Sequence, residues 1–299
     1  MPELPEVETT ARGLRERVVG ARIRRVWGLD WPRMAPNADG ALLSLALEGR
    51  SIEAVERRGK ILLVRVEDGA TLGLHRKMSG NVLVRASSAE MDPHTHLVLA
   101  LEDGRDIRFV DARKFGRIWL FPTPAKAEQF LAERLGPEPL GEMTADRLWT
   151  MLHGRRGRIK ALLLDQAFLA GVGNLYADEA LWEAGIHPFT PAHRLTRADV
   201  GRLASALRDV LEAGIARRGT SFSTYLDADG LAGENQDYLR AYGRGASRGR
   251  PARPCDRCGT AFTTVLLGQR TSHYCPTCQR PPEAGRKGRA AAQPTAPTT

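Results

Sequence analysis

Residues 255–278 read CDRCGTAFTTVLLGQRTSHYCPTC, and this stretch holds all four cysteines of the chain. They form two C-x2-C pairs with sixteen residues between them, a spacing that suits four thiolates arranged tetrahedrally around one zinc ion. Two disulfides or idle buried thiols are the alternative, but a reducing cytosol disfavours disulfides, and chance rarely produces two such pairs. The stretch therefore predicts a small domain closed by one structural zinc ion, with the ligands Cys255, Cys258, Cys275 and Cys278.

The excess positive charge of the chain lies at the same end. The formal net charge is +9, and residues 240–299 hold 11 Lys and Arg against 2 Asp and Glu, whereas residues 1–239 hold 33 of each. A basic end favours a polyanion, of which DNA is the commonest, although a solvated tail gives the same count. Charge alone therefore permits a nucleic-acid partner without requiring one.

Length and composition indicate a globular protein of about two domains, because 299 residues with 42% hydrophobic content can bury an ordinary core. The first residues, MPELPEVETTARGL, lack a basic segment followed by an apolar run. No stretch approaches the roughly 20 apolar residues of a membrane span. We expect a soluble, cytosolic protein without a membrane partner, and a monomer as the default.

Two kinds of hydrophobic pattern follow one another. Apolar residues at helical spacing predict a first helix over residues 5–19. Residues 22–121 carry short runs such as SIEAVE, KILLVRVE, HLVLALE and RIWLF between turns, which predicts an antiparallel sandwich or barrel. Helical periodicity then returns around residues 144–153, 158–168, 174–185 and 196–217.

These patterns predict an α+β, multidomain fold. Residues 1–121 hold the first helix and the β-sandwich, residues 143–242 the helical domain, and residues 255–280 the zinc finger. Pro, Gly and charged residues predict a linker over residues 122–142 and a flexible basic linker over residues 243–254. The low-complexity segment 281–299 is predicted to be a disordered tail.

Seven motifs occur in a fixed order from one end of the chain to the other: PELPEVET, RRGKILLV, KMSG, DARKFGR, GVGNLYADEALW, GTSFSTYLDADG and CDRC with GQRTSHYCPTCQ. In this order they resemble the formamidopyrimidine-DNA glycosylase family. The resemblance implies a helix and β-sandwich followed by a helix–two-turn–helix domain with a zinc-finger hairpin. It also implies excision of oxidised purines from damaged double-stranded DNA, followed by cleavage at the resulting abasic site.

The residue after Met1 is the candidate nucleophile. A small residue such as Pro2 normally permits removal of the initiator methionine, which frees its secondary amine. An α-amino group titrates near 7.7–8.0 against about 10.4 for lysine, so its neutral fraction at pH 7 is at least about a hundredfold larger. Attack of this amine on the sugar C1′ would expel the base and leave an iminium ion that permits β- and δ-elimination.

The resemblance assigns roles to three other residues of the chemistry. It makes Glu3 the general acid that helps to open the sugar, Lys60 a cation at the phosphate near the lesion, and Arg270 a bidentate phosphate ligand on the zinc hairpin. Without the resemblance, Lys60 and Arg270 are ordinary surface cations. For Glu6 and Glu8 we favour a structural role as negative charge at a helix amino end.

An enzyme that acts on a base must extrude it and fill the gap it leaves. By resemblance, Met78, Arg113 and Phe115 enter the duplex, with Arg113 hydrogen-bonded to the orphaned base and able to sense cytosine. Core packing is the alternative for Met78 and Phe115. The resemblance adds contacts to the DNA backbone from His94, Arg155, Lys160 and Asn174, and from the sequence we expect Asn174 to cap a helix whose free N–H groups face a phosphate.

The loop that closes over the extruded base in this family matches residues 220–225, and its predicted recognition residues are Thr220, Ser221, Thr224 and Tyr225. One departure concerns the KMSG motif, where Arg76 and Lys77 replace a small pair and the lysine takes a glycine position. If that position needs a positive φ, the loop must differ.

Two other functions remain open from the sequence. An endonuclease VIII-like enzyme shares the fold and the terminal proline but prefers oxidised pyrimidines; the PELPEVET start and the Arg113–Phe115 pair favour the purine enzyme. A non-catalytic zinc-finger DNA-binding protein would need only the zinc, the basic charge and the helical turn. That class predicts no role for Pro2.

Overall fold

The structure is a computed structural model that describes residues 2–247 and 249–281. The predicted tail from residue 282 onward lies outside the described residues, as does Met1. The described chain forms a β-sandwich with one helix along it, a helical domain and a C-terminal hairpin. None of the helices in these ranges has the length and apolarity that a bilayer span requires.

The sandwich consists of two antiparallel four-stranded sheets. The first sheet has the order β1-β6-β7-β5, with β1 at Ile23–Trp27, β5 at Asn81–Ala86, β6 at Thr95–Leu101 and β7 at Arg105–Val110. The second has the order β2-β3-β4-β8, with β2 at Ile52–Arg58, β3 at Ile61–Val66, β4 at Thr71–His75 and β8 at Arg117–Phe121. Leu, Val and Ile side chains from both sheets form one buried core.

Helix α1, at Leu4–Val18, contributes to two hydrophobic cores. Its apolar stripe of Val7, Ala11 and Leu14 is buried against the sandwich core. Leu4, at its first turn, belongs instead to the core of the helical domain. The amino end of the chain therefore lies where the two domains meet.

The helical domain contains α4 (Ala145–Leu152), α5 (Ile159–Leu164), α6 (Asn174–Ala184) and α7 (Arg197–Ala216). Helix α7 begins with a capping box in which Thr196 and Asp199 satisfy each other's backbone N–H groups, and α6 ends at Gly185 with φ of 70°. The C-terminal hairpin pairs β9 (Thr263–Leu267) with β10 (Arg270–Tyr274). The predicted fold class is confirmed.

Two helices lie where none was predicted. Helix α2, at Gly40–Leu47, interrupts the strand region and is capped by Asp39, whose carboxylate accepts from Leu42 N at 2.8 Å. Helix α3, at Pro124–Ala132, occupies the predicted linker 122–142 and has Thr123 as its cap. Each is short, and its start is marked by a capping residue that periodicity alone does not detect.

The predicted basic linker 243–254 has backbone hydrogen bonds among its described residues. Its described residues fold back on themselves, because Arg253 N donates to Arg244 O at 2.7 Å and Ser247 pairs with Arg250. Thr264, in β9, donates to Ala246 O at 3.1 Å. These hydrogen bonds join the segment to itself and to β9.

Candidate functional site

Glu3 connects the amino end of the chain to the helical domain. It is 5% exposed and is the residue that precedes α1. Its carboxylate accepts hydrogen bonds from the backbone N–H groups of Gly173 at 2.8 Å, Leu175 at 2.9 Å and Tyr176 at 3.3 Å. These groups are the unpaired donors at the start of α6, where a negative charge is stabilised. Pro2 is thereby held at the junction of the two domains.

The GVG motif makes this contact possible. A Cβ on Gly173 would lie 2.4 Å from Glu3 Cδ, which is too close for two carbon atoms that are not bonded to each other. Gly171 has φ of 88°, and a Cβ there would lie 2.7 Å from Leu4 Cδ1. Leu4 N also donates to Gly171 O at 3.1 Å. Both glycines are needed because α1 approaches the backbone of this turn directly.

The predicted role of Asn174 as a helix cap is wrong. The cap position is Gly173, and Asn174 is the first residue of the helix, with its Nδ2 donating to Thr271 O at 2.9 Å. The backbone donors that we expected to face a phosphate are taken by Glu3. Asn174 therefore joins α6 to the zinc-finger hairpin.

Glu6, which the sequence suggested was only helix-end charge, is fully enclosed beside Glu3. It is 3% exposed and accepts from Glu3 N at 2.7 Å, from the Tyr176 hydroxyl at 2.8 Å and from Thr220 N at 2.8 Å. Burial, and then the charge of Glu3, raise the pKa of Glu6. Sequence reasoning missed this residue because its partners come from parts of the chain about 170 and 214 residues away.

Lys60 supplies positive charge to the same region. It is 5% exposed at the turn between β2 and β3. Burial lowers its pKa; the charges of Glu3 and Glu6 oppose that shift, and those of Arg270 and Lys77 add to it. The predicted catalytic residues Glu3, Lys60 and Arg270 are thus electrostatic neighbours, with Arg270 exposed at the start of β10.

A cavity of about 210 Å³ opens above Pro2, Glu3 and Glu6. Its other walls are Met78, Ser79, Arg113, Leu175, Thr220, Phe222, Ser223, Thr224, Tyr225 and Tyr242. Three of the four predicted recognition residues therefore line it. Ser221 instead braces the loop, since its hydroxyl donates to Tyr225 O at 2.8 Å and accepts from Gly233 N at 2.9 Å.

Two loops project from one end of the sandwich. Residues 76–80 cross from β4 to β5, and residues 111–116 cross from β7 to β8. Because His75 pairs with Arg117 and Asn81 pairs with Val110, both crossings lie at the same edge. Asp111 joins them: its carboxylate accepts from the Ser79 hydroxyl and, at 2.7 Å, from Gly116 N. Sequence reasoning did not identify Asp111.

The predicted intercalating residues lie at the tips of these loops. Met78 is 46% exposed and Phe115 is 47% exposed, so neither packs in the core. The Arg113 guanidinium lies 4.8 Å from the centre of the Phe115 ring. The loops therefore present two apolar side chains and one cation side by side to solvent.

Lys77, in the KMSG motif, has a positive φ. Its φ is 53°, so this lysine adopts the left-handed conformation that glycine usually supplies. Burial lowers the pKa of His75 to about 3, and its neutral Nδ1 accepts from Lys77 N at 3.0 Å. His94, exposed and with φ of 63°, accepts from Asp111 N through its carbonyl at 3.0 Å. Lys77 and, with φ of 55°, Lys114 thus place one left-handed non-glycine residue in each of the two loops.

The predicted contact of Lys160 with DNA is contradicted. The side chain is 0% exposed, and Nζ donates to Asp178 Oδ1 at 2.6 Å, to Ser272 Oγ at 2.7 Å and to Thr271 O at 3.2 Å. Asp178 also accepts from His273 N at 3.0 Å. Lys160 therefore fastens the hairpin to the helical domain. Arg155, by contrast, is exposed, as its predicted role requires.

Comparison with known proteins agrees with this arrangement. Residues 1–118 match the formamidopyrimidine-DNA glycosylase N-terminal domain, residues 135–225 its H2TH domain, and residues 253–281 the zinc finger found in FPG and IleRS. A formamidopyrimidine-DNA glycosylase from Herpetosiphon aurantiacus is 44% identical over 280 residues, which cover 93% of this chain and 100% of the relative. The chain belongs to the formamidopyrimidine-DNA glycosylase family.

Solved structures of formamidopyrimidine-DNA glycosylases superpose on the whole fold. A Lactococcus lactis FPG mutant in complex with a Fapy-dG-containing DNA has a TM-score of 0.85 and 33% identity, covering 94% of this chain and 100% of its own. MutM in complex with carbocyclic 8-oxo-G-containing DNA has a TM-score of 0.84, also with 33% identity and the same coverage. The predicted family is confirmed.

The finger of this glycosylase fits one structural zinc ion. The four Sγ atoms lie within 4.8 Å of one another, and two of their separations are 3.9 and 3.4 Å. Tetrahedral zinc with Zn–S bonds of about 2.3 Å places sulfurs about 3.8 Å apart. The Trp182 indole N–H donates to Cys255 Sγ at 3.4 Å. Because four cysteines complete the coordination, the zinc stabilises the finger and leaves no open position for chemistry.

Gly173→Ala tests the contact between Glu3 and α6. The added methyl group would displace the Glu3 carboxylate, so we expect single-turnover cleavage of a lesion-containing duplex to fall roughly tenfold to a hundredfold, as a misplaced catalytic group predicts. Gly201→Ala is the control, because a Cβ there meets nothing within 4 Å. Equal rates for the two variants in a quench-flow assay would refute the role of this contact.

Removal of the zinc is expected to weaken DNA binding while the sandwich stays folded, because Arg270 depends on the finger for its position. The loss should be at least about tenfold, since one hydrogen bond to a charged group contributes roughly 1.5–3 kcal/mol. Fluorescence anisotropy with a labelled duplex measures it, with re-addition of zinc as the control. Unchanged affinity after verified zinc release would contradict the expectation.

Proposed function

We propose that this chain is a bifunctional DNA glycosylase and abasic-site lyase that removes oxidised purines, 8-oxoguanine and formamidopyrimidines, from duplex DNA. One observation carries the proposal: Pro2 and Glu3 form the floor of a cavity of about 210 Å³ whose wall is the predicted lesion loop. A cavity of this size cannot admit a duplex, so a base reaches it only when it is extruded from the stack.

The terminal amine of Pro2, once the initiator methionine is removed, is the nucleophile of this mechanism. It attacks the sugar C1′, and the bond from C1′ to the damaged base breaks, with the base taking up the proton that the amine loses. The C1′–O4′ bond then opens as Glu3 protonates O4′, which leaves an iminium ion between the proline nitrogen and C1′. The resulting iminium ion accepts the electron pair released when a proton leaves C2′, which lets the 3′ phosphate depart; a second elimination releases the 5′ phosphate. One amine thus serves base excision and strand cleavage.

Glu3 is positioned to move protons beside this amine, because it is the next residue and three backbone donors fix its carboxylate. Lys60 and Arg270 place positive charge next to it, which suits the phosphates that flank the lesion. The Glu6 carboxylate fixes the backbone of Glu3 and the start of the lesion loop together. The reacting groups are therefore preorganised before DNA binds.

The two exposed loops carry side chains that can fill the gap that an extruded base leaves in the duplex. Met78 and Phe115 offer apolar surface between base steps, and Arg113, which also lines the cavity, can hydrogen-bond the orphaned partner base. His94, Arg155 and Asn174 remain proposed contacts to the DNA backbone. Bacterial relatives and a DNA substrate support a place in the bacterial cytoplasm, at the nucleoid.

Borohydride trapping tests the nucleophile and the lesion class together. Wild type, Pro2→Gly as a primary-amine control, and protein with a blocked terminus are each mixed with duplexes carrying 8-oxoguanine opposite cytosine or thymine glycol opposite adenine. We expect strong trapping of wild type on 8-oxoguanine, retention of some trapping by Pro2→Gly, and none with the blocked terminus, because only a free amine forms the iminium ion.

The other outcomes point to the two remaining functions. Stronger trapping on thymine glycol would assign the chain to the endonuclease VIII-like branch. Absence of trapping on both duplexes, with binding intact, would identify a non-catalytic DNA-binding protein.

A further inference from the structure

Arg76 is a buried arginine in the loop between β4 and β5, two residues before the exposed tip Met78. It is 1% exposed, and no role in the chemistry uses it. A buried guanidinium is costly unless its donors are paired, so its partners indicate its purpose.

The five N–H donors of Arg76 meet five acceptors. Nε donates to Gly80 O at 2.7 Å, and Nη1 donates to Thr10 Oγ1 at 2.6 Å and Glu6 O at 3.5 Å. Nη2 donates to Asn81 Oδ1 at 2.5 Å and Leu226 O at 3.0 Å. All five acceptors are neutral, so these contacts are not ion pairs. The planar guanidinium instead fixes the relative positions of the groups that it binds.

These acceptors come from three parts of the site. Glu6 and Thr10 lie on α1, which Pro2 and Glu3 directly precede. Gly80 ends the loop that carries Met78, and Leu226 follows directly on the lesion loop 220–225. The guanidinium also lies 4.8 Å from the centre of the Tyr225 ring. One side chain therefore joins the nucleophile's helix, the intercalating loop and the end of the lesion loop.

Asn81 completes this connection. Its Oδ1 accepts from Leu226 N at 3.1 Å as well as from Arg76, and its Nδ2 donates to Thr224 O at 2.7 Å. We call Arg76 and Asn81 the clasp. It holds the backbone of residues 224–226, whereas Glu6 holds the other end of the loop at Thr220 N.

We propose that Arg76 is a positioning residue for reading the damaged base: the clasp fixes the distance of the lesion loop from Pro2, so that base excision depends on Arg76 more strongly than cleavage of an existing abasic site does. The inference rests on the proposed function, and it separates the two activities. An abasic site has no base for the loop to contact, but it needs the same amine and the same Glu3.

The test compares two single-turnover rates within each variant: 8-oxoguanine excision opposite cytosine and cleavage of a preformed abasic site opposite cytosine. Arg76→Lys keeps the charge but has three donors in place of the planar fork. Asn81→Ala removes the other half of the clasp. Arg108→Lys is the matched control, since Arg108 is 0% exposed and bonded to Asp92 and Asp106, away from the lesion loop.

We expect both clasp variants to lower the ratio of excision to abasic cleavage roughly tenfold to a hundredfold, which is the effect of misplacing a binding loop. Arg108→Lys should leave the ratio unchanged even if it lowers the melting temperature, because lost folded protein reduces both rates equally. A ratio unchanged in Arg76→Lys and Asn81→Ala, or lowered equally in Arg108→Lys, would overturn the inference. A wild-type chain inactive on both duplexes would overturn the proposed function itself.

Discussion

The hydrogen bonds between the Glu3 carboxylate and the amino end of α6 are the interaction on which the site depends. A helix start presents unpaired N–H groups and a partial positive charge. Here a carboxylate from another domain accepts hydrogen bonds from these groups and neutralises that charge. Leu4 adds an apolar anchor in the same helical domain. Since Pro2 precedes Glu3 directly, the reactive terminus is in place only when the two domains are docked.

The site is built around buried polar groups, each satisfied by partners distant in sequence. Glu6 joins α1 to the lesion loop, Lys160 and Asp178 join the helical domain to the hairpin, and Asp111 joins the two intercalating loops. Such groups add little net stability compared with apolar residues, but each is costly to leave unpaired. They therefore select one relative arrangement of helix, loops and finger.

The elements that the sequence predicts well are those with a strong local signal. Strand periodicity located β2, β3, β6 and β8, because their buried faces alternate or run continuously with apolar residues, and cysteine spacing located the zinc ligands. Helix α2 was missed because its sequence GALLSLAL is apolar on most sides and lies within a region of strand-like runs. Helix α3 was missed because the Pro, Gly and charged residues around it predicted a linker. Charged residues were the least predictable: Lys160 resembles a surface cation and Glu6 a helix-end charge until the tertiary partners are known.

The central claim is that the amine of Pro2, held in place through Glu3, forms the covalent bond to DNA. Peptide mapping tests it most directly: the borohydride-reduced complex with an 8-oxoguanine duplex is digested with nuclease and trypsin, and the modified peptide is sequenced by mass spectrometry. The account predicts a sugar adduct on the proline amine of the peptide PELPEVETTAR, residues 2–12. An adduct on Lys60 or on any other lysine, with the terminal peptide unmodified, would contradict it.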